Sequence, residues 1–351
     1  MEEEISNRKK EHIELCLTDK VAFNYKSNGF DNYDFVHYAI TEVKIDKIDL
    51  SLSFLNKKIS FPFLISCMTG GTDETNNINL KLANVAEKLK IPIGLGSQRY
   101  ALRNKEYEEY FYSIRNAAPS IPLLGNIGAA QILDKGSCKD IIKLIKGFSP
   151  DGFVVHLNPL QELMQPEGEP NFFGLLAGLE YLIKESGVPI IIKEVGSGIS
   201  LKAAKKLLQL GVYGIDTAGA GGTSWAGVEI LRRELKGIKK EKDIELFWDW
   251  GLPTSFCVKE LMKLKGDYDF YLIGSGGINN SEEAAKCIAL GADLVASARK
   301  VLTALFEKGE EGVVELIEGW FEDVKKIMFL TGSQKIKSFR KKKVIEKRNL
   351  F

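Results

Sequence analysis

The side chains able to do chemistry in this 351-residue chain gather in short polar or Gly-rich peptides. Two of them, AGAGGTSW at 218–225 and GSGG at 274–277, place glycine where a backbone must close on an anion, because a side chain would hold the N–H groups away. With Ala298-Arg299 after the next apolar run, these peptides call for a phosphorylated cofactor, unless GSGG is only a tight turn. Lys193 ends the apolar run Ile190-Ile191-Ile192, where an ammonium without a counter-charge is costly. Its partner is Glu194, another carboxylate, or a cofactor. Asn126 and Ser97, ending other apolar runs, add hydrogen-bonding groups toward the same centre and favour a polar heteroaromatic ring such as flavin. Glu162, in HLNPLQE at 156–162, could face phosphate oxygens only across a hard cation such as Mg2+; the alternative is a solvated loop acid. Arg8, Lys9 and His12 share one face of a helix capped by Ser6-Asn7, which is either an exposed basic end or a cationic arm over a site. His37 is assigned to structure, and the five cysteines, Cys16, Cys67, Cys138, Cys257 and Cys287, to packing or inert thiols, because none sits beside an obvious activating base.

The elements that must position these residues follow a βα rhythm. Apolar, β-branched runs occupy 61–66, 91–95, 121–125, 152–157, 189–195, 212–217, 270–274 and 293–297, separated by amphipathic stretches such as 77–89, 201–210 and 281–290. Strands apolar on both faces suit a closed parallel barrel, whose interior is filled by side chains and whose exterior is covered by helices. No G-x-G-x-x-G follows the first run, which argues against a doubly wound sheet. The predicted fold is therefore α/β, a (β/α)8 TIM barrel over 61–310 with an insertion near 224–253. An N-terminal extension (1–60) and a C-terminal helical segment with a basic tail (311–351) flank it. In such a barrel the carboxyl ends of the strands carry the chemistry, and the polar peptides fall there.

Composition narrows the function classes. Forty-eight Lys+Arg against 47 Asp+Glu leave a net charge of +1, with no global field to draw the chain onto nucleic acid or anionic lipid. The basic stretch 335–348 has few interleaved aromatics and reads as a solvated or subunit-facing tail. An odd number of scattered cysteines, an acidic start and no apolar run near ~20 residues predict a soluble cytoplasmic protein without disulfides, zinc or a membrane span.

Taken in order, RKxxH at 8–12, MTGG at 68–71, GSQR at 96–99, GNIGAAQ at 125–131, HLNPLQE at 156–162, KEVGSGIS at 193–200, AGAGGTSW at 218–225, WGLPT at 250–254 and GSGGI at 274–278 resemble the type 2 isopentenyl-diphosphate Δ-isomerases. These are FMN-dependent barrel flavoproteins of isoprenoid biosynthesis. The resemblance spans nearly the whole chain. It implies conversion of isopentenyl diphosphate to dimethylallyl diphosphate with FMN reduced by NAD(P)H, with Mg2+, in a homo-tetramer or larger homo-oligomer. It implies FMN contacts from Cys67, Met68, Thr69, Ser97, Asn126, Lys193, Thr223, Gly274, Ser275, Gly276, Ala298 and Arg299. Substrate contacts are implied for Arg8, Lys9, His12, Ser97, Gln98, Arg99, His156, Asn158 and Gln161, and Mg2+ at Glu162. Gln161, His12 and His156 are the catalytic candidates. An unactivated alkene is a very weak base, and no carboxylic acid in a clearly apolar setting is evident near Gln161, so reduced flavin N5 is the expected proton donor and acceptor. The rival readings are an FMN-dependent 2-hydroxy-acid oxidase or dehydrogenase, which would want a histidine late in the barrel, and a non-catalytic flavin-binding scaffold.

Overall fold

Period-2 alternation explains how the eight apolar runs close on themselves. The computed structural model describes residues 2–68, 70–102, 107–238, 244–340 and 344–349. Its central strands are β1 (Phe63–Ile65), β2 (Ile93–Gly94), β3 (Leu123–Gly128), β4 (Gly152–Leu157), β5 (Ile190–Glu194), β6 (Gly214–Asp216), β7 (Tyr271–Gly274) and β8 (Leu294–Ser297). Each is parallel to its neighbours, and β8 returns to β1 with Val295 opposite Phe63, so the barrel is closed as predicted. One parity of each strand, including Phe63, Phe153, Ile192 and Leu272, packs against the surrounding helices. The other parity, Leu64, Leu124, Val154, Ile191, Ile273 and Leu294, fills the interior. An antiparallel hairpin of 52–54 and 57–59 lays Phe54 and Ile59 into that interior cluster. Its Lys57 pairs with Asp151 at 2.7 Å, just before β4, so the hairpin closes the amino-terminal end of the barrel. Only the carboxyl end is left for a ligand.

Alternation then dictates what stands above the apolar plug. Two residues beyond Leu124, Val154, Ile191, Gly214 and Ile273 come Asn126, His156, Lys193, Asp216 and Ser275, pointing the same way. Register sets His156 beside Lys193 and Lys193 beside Asp216 on adjacent strands.

Two expectations outside the barrel change. The N-terminal helix runs Glu2–Cys16, so Ser6 and Asn7 lie inside it and do not cap it. Gly309 (φ 67°) separates the helix that follows β8, from Arg299 onward, from a second helix that reaches Leu330. The basic tail is partly packed and not simply solvated. Phe339 is fully buried, Arg340 pairs with Asp293 at 2.6 Å, and Val344–Glu346 pairs antiparallel with Tyr33–Phe35. Among the described residues no helix is long and apolar enough to cross a membrane.

Candidate functional site

A cavity of about 290 Å³ opens at the carboxyl end of the barrel, under the N-terminal helix. Its floor is the polar layer above the plug. His156 Nδ1 lies 2.7 Å from Asn126 Oδ1. Burial, with Lys193 adding to it, pulls the imidazole down to about 4, so His156 is neutral at pH 7. Lys193 Nζ donates to the Glu194 carbonyl at 2.8 Å and lies 3.6 Å from Asp216 Oδ2. Ser275 Oγ donates to the other Asp216 oxygen. Asp216 is thus the lysine's carboxylate. The Glu194 side chain instead accepts the backbone N–H groups of Val195, Gly196 and Ser197 at 2.6, 2.8 and 2.6 Å, shaping the loop after β5.

The walls come from the loops after β4, β6 and β7 and from the N-terminal helix. Pro159 starts a short helix, Pro159–Met164, that carries Gln161 and Glu162 where a loop was expected. Asn158 Nδ2 donates to Gln161 Oε1 (3.3 Å) and Glu162 Oε1 (2.9 Å), and the Glu169 N–H donates to Glu162 Oε2 (3.0 Å). His12 Nε2 contacts Glu229 Oε1 at 2.9 Å, and the ring meets Trp225 edge-on with centroids 5.1 Å apart. Gln161 Nε2 donates to the same Glu229 oxygen at 3.3 Å. Burial lowers the His12 pKa despite the hydrogen bond to Glu229, which raises it. Lys9 Nζ stands 4.8 Å from the Tyr100 ring centroid. Burial, and then Arg8, bring that ammonium down to about 7.

The loops after β6 and β7 meet backbone to backbone. A Cβ on Gly276 (φ +104°) would fall 2.1 Å from the Gly219 carbonyl oxygen, and one on Gly277 (φ +72°) 2.4 Å from that of Gly221. Only glycine allows this approach. Beside them, at the start of the helix after β8, Arg299 has a buried Nη1 without a hydrogen-bond partner.

Eighteen of the expected site residues line the cavity: Arg8, Lys9, His12, Cys67, Met68, Ser97, Arg99, Asn126, His156, Asn158, Gln161, Glu162, Lys193, Thr223, Ser275, Gly276, Ala298 and Arg299. Gln98 does not, because its Oε1 accepts the Asn126 N–H at 3.0 Å and the side chain is turned into the protein. Gly274 does not either: a Cβ there would meet Cys287 Sγ, so it faces the helix Ser281–Ala289. Thr69 lies outside the described residues. The cavity thiols stay protonated, burial pushing Cys67 up to about 11 and Cys16 to about 12. Asp216, Glu229 and Trp225 were missed as individual site residues. Parity along β6 could have found Asp216, whereas Glu229 and Arg232, at i,i+3, read from sequence as an ordinary solvated pair.

The FMN-dependent dehydrogenase family matches residues 169–346. An isopentenyl-diphosphate delta-isomerase of Pelodictyon phaeoclathratiforme is 41% identical over 352 residues, covering 97% of each chain. That of Chlorobium phaeobacteroides is 42% identical over 349 residues, covering 96% of this chain and 94% of its own. Among solved structures, the flavin-binding domain of baker's yeast flavocytochrome b2 superposes with a TM-score of 0.67 at 18% identity, covering 93% of this chain and 79% of that one. At that identity the likeness shows the fold alone. The histidines lining the cavity among the described residues are His12 and His156, neither of them late in the barrel. Identity of this extent with the delta-isomerases settles the class, and the chain belongs to the FMN-dependent, or type 2, isopentenyl-diphosphate Δ-isomerase family.

Proposed function

We propose that this chain interconverts isopentenyl and dimethylallyl diphosphate, with reduced FMN along the β3–β8 side of the cavity and the substrate under the N-terminal helix. The observation that carries the reading is the charge of the cavity. Its described lining holds Arg8, Lys9, Arg99, Lys193, Arg299 and Lys300 against one carboxylate, Glu162. Apart from Lys193 on β5, which Asp216 pairs, the cations fall into two groups, one on the N-terminal helix and the loop after β2, the other after β8, which suits two separate polyanions. The unpartnered Arg299 Nη1 and the glycine contact after β6 and β7 fit a monophosphate ester. Lys193, Asn126 and Ser97 would then meet a flavin ring, while Arg8, Lys9 and Arg99 would take a diphosphate.

Glu162 is a lone carboxylate at the diphosphate end. That donor set suits Mg2+, which keeps waters and binds through one carboxylate plus substrate phosphates. Asn158 and the Glu169 N–H aim its two oxygens and leave lone pairs free on both.

The chain's own groups prepare a proton transfer more readily than they perform one. His156 is neutral, burial disfavours the charged form of His12, and the thiols are held protonated by burial. Burial opposes ionisation of Glu229, but the His12 and Arg232 contacts prevail and lower its pKa, which leaves it an acceptor. Gln161, held by Glu229 and Asn158, keeps a fixed amide over the cavity and orients the alkene. Reduced FMN, when bound, supplies an electron-rich ring whose N5 can give and take the proton. NAD(P)H as reductant, a homo-oligomer and a cytoplasmic location complete the proposal; five unpaired cysteines support a reducing compartment.

The test is anaerobic: protein, FMN, NADPH, Mg2+ and isopentenyl diphosphate, followed by NMR for the allylic product. Absence of product refutes the isomerase reading in favour of a scaffold. Full turnover with 5-deazaFMN excludes N5.

A further inference from the structure

Arg232, on the helix Trp225–Leu235, is fully buried and lies outside the cavity lining. Its guanidinium reaches three carboxylates on three separate segments. Nε donates to Glu11 Oε2 at 2.9 Å on the N-terminal helix, Nη1 to Glu229 Oε2 at 2.5 Å one turn back on its own helix, and Nη2 to Glu167 Oε1 at 3.2 Å beyond the Gln161–Glu162 helix. Neutralising a buried guanidinium requires one carboxylate, and Glu229, itself fully buried, already provides it. The other two arms therefore need a different explanation. The N-terminal helix supplies it: from residue 7 onward Ile13 is the one side chain packed into the core, and His12 and Cys16 are half-buried at the cavity. One apolar anchor, with His12 against Glu229 and Trp225 and Lys9 over Tyr100, is a slender hold for a helix of 15 residues over a cavity mouth. On the Glu167 side, burial works against ionisation, yet hydrogen bonds from Lys236 and contact with Arg232 bring the carboxyl down to about 2.

We propose that Arg232 is a positioning residue of the isomerase reaction, a latch joining the N-terminal helix and the segment after β4 to one buried point, so that Arg8, Lys9, His12 and Gln161 enter the cavity together. The inference rests on the isomerase reading of the site. Its geometric core does not: Glu229 carries His12 and Gln161 on one oxygen and Arg232 on the other, so a displacement of the guanidinium reaches both. The rigid fork matters, since its donors are spread over a planar group that spans three separated carboxylates, whereas a lysine offers one compact point charge.

The test compares holoenzymes of Arg232→Met and Glu11→Gln with the parent by hydrogen exchange of residues 2–16, FMN Kd, and KM and kcat for isopentenyl diphosphate. Glu11→Gln removes one arm from a partly exposed carboxylate and keeps the experiment decisive if Arg232→Met does not fold. It should speed exchange of 2–16 and raise KM roughly two- to fivefold without changing kcat. Arg232→Met should raise KM roughly tenfold or more and lower kcat through Gln161. FMN Kd should stay unchanged in both. Parental exchange and KM in Glu11→Gln, or FMN affinity falling in step with KM, would overturn the latch. A parent that binds FMN but makes no dimethylallyl diphosphate sinks the isomerase reading, while the exchange comparison still decides the latch.

Discussion

Replacing Asp216 by Asn tests whether Lys193 is held as a charged group on the cavity floor. The side chains are 2% and 11% exposed and 3.6 Å apart, and among the described residues the only other acceptor on Nζ is the Glu194 carbonyl at 2.8 Å. At that separation, with an effective dielectric of about 20, two unit charges attract by about 5 kcal/mol. Part of this repays desolvation of the pair, so the asparagine variant, which keeps the shape and a carbonyl toward Ser275, should lose about 3 kcal/mol in the flavin-free protein. Urea unfolding at pH 7 measures it, provided the slope with denaturant is unchanged. The decisive control is Lys193→Met, alone and combined with Asp216→Asn. If the loss comes from an orphaned ammonium, the double variant should recover most of it, giving a coupling of about 2–3 kcal/mol. A single-variant loss below about 1 kcal/mol, or additive losses, would mean that the pair does not hold the lysine, and the cavity floor would have to be redrawn.

Three further outcomes follow from the same geometry. Because Lys9 is depressed to about 7, raising the pH through 7 removes a cation from the cavity mouth. The parent's KM for isopentenyl diphosphate should therefore climb above pH 7, and in Lys9→Ala it should be higher at pH 6 with a flatter profile and an unchanged FMN Kd; parallel profiles would remove Lys9 from the diphosphate site. Glu162→Gln should move the Mg2+ titration of activity to roughly tenfold higher concentration, since second and first ligands of a metal typically matter by ~10–100-fold; an unaltered titration would return Glu162 to a loop acid. Glu229→Gln replaces the acceptor of three donors, from His12, Gln161 and Arg232, by an amide that must turn its NH2 toward one of them. It should destabilise the protein by about 3 kcal/mol and cut turnover; a parental melting temperature would show that the cluster is not an ionic one.

The barrel was legible in the sequence because its information is local. Each strand announces itself by an apolar, β-branched run, each turn by glycine, and the parity of a strand fixes which side chains face inward. Asn126, His156 and Lys193 could therefore be placed at one end of one cylinder before any coordinates, and Arg8, Lys9 and His12 on one helix face. Parity was also available for Asp216 and, in the other direction, for Gly274, whose neighbour Ile273 belongs to the interior cluster. What distance along the chain concealed was decided by packing. Nothing local says that residue 12 meets residue 229, that Glu11 and Glu167 converge on Arg232, or that Gln98 turns away to hold the backbone of Asn126. A charged i,i+3 pair looks the same on a solvated helix and on a buried one. Only the closed cylinder, by covering that helix with the N-terminal arm, takes the pair out of water and gives two distant carboxylates, Glu11 and Glu167, the same cation as Glu229.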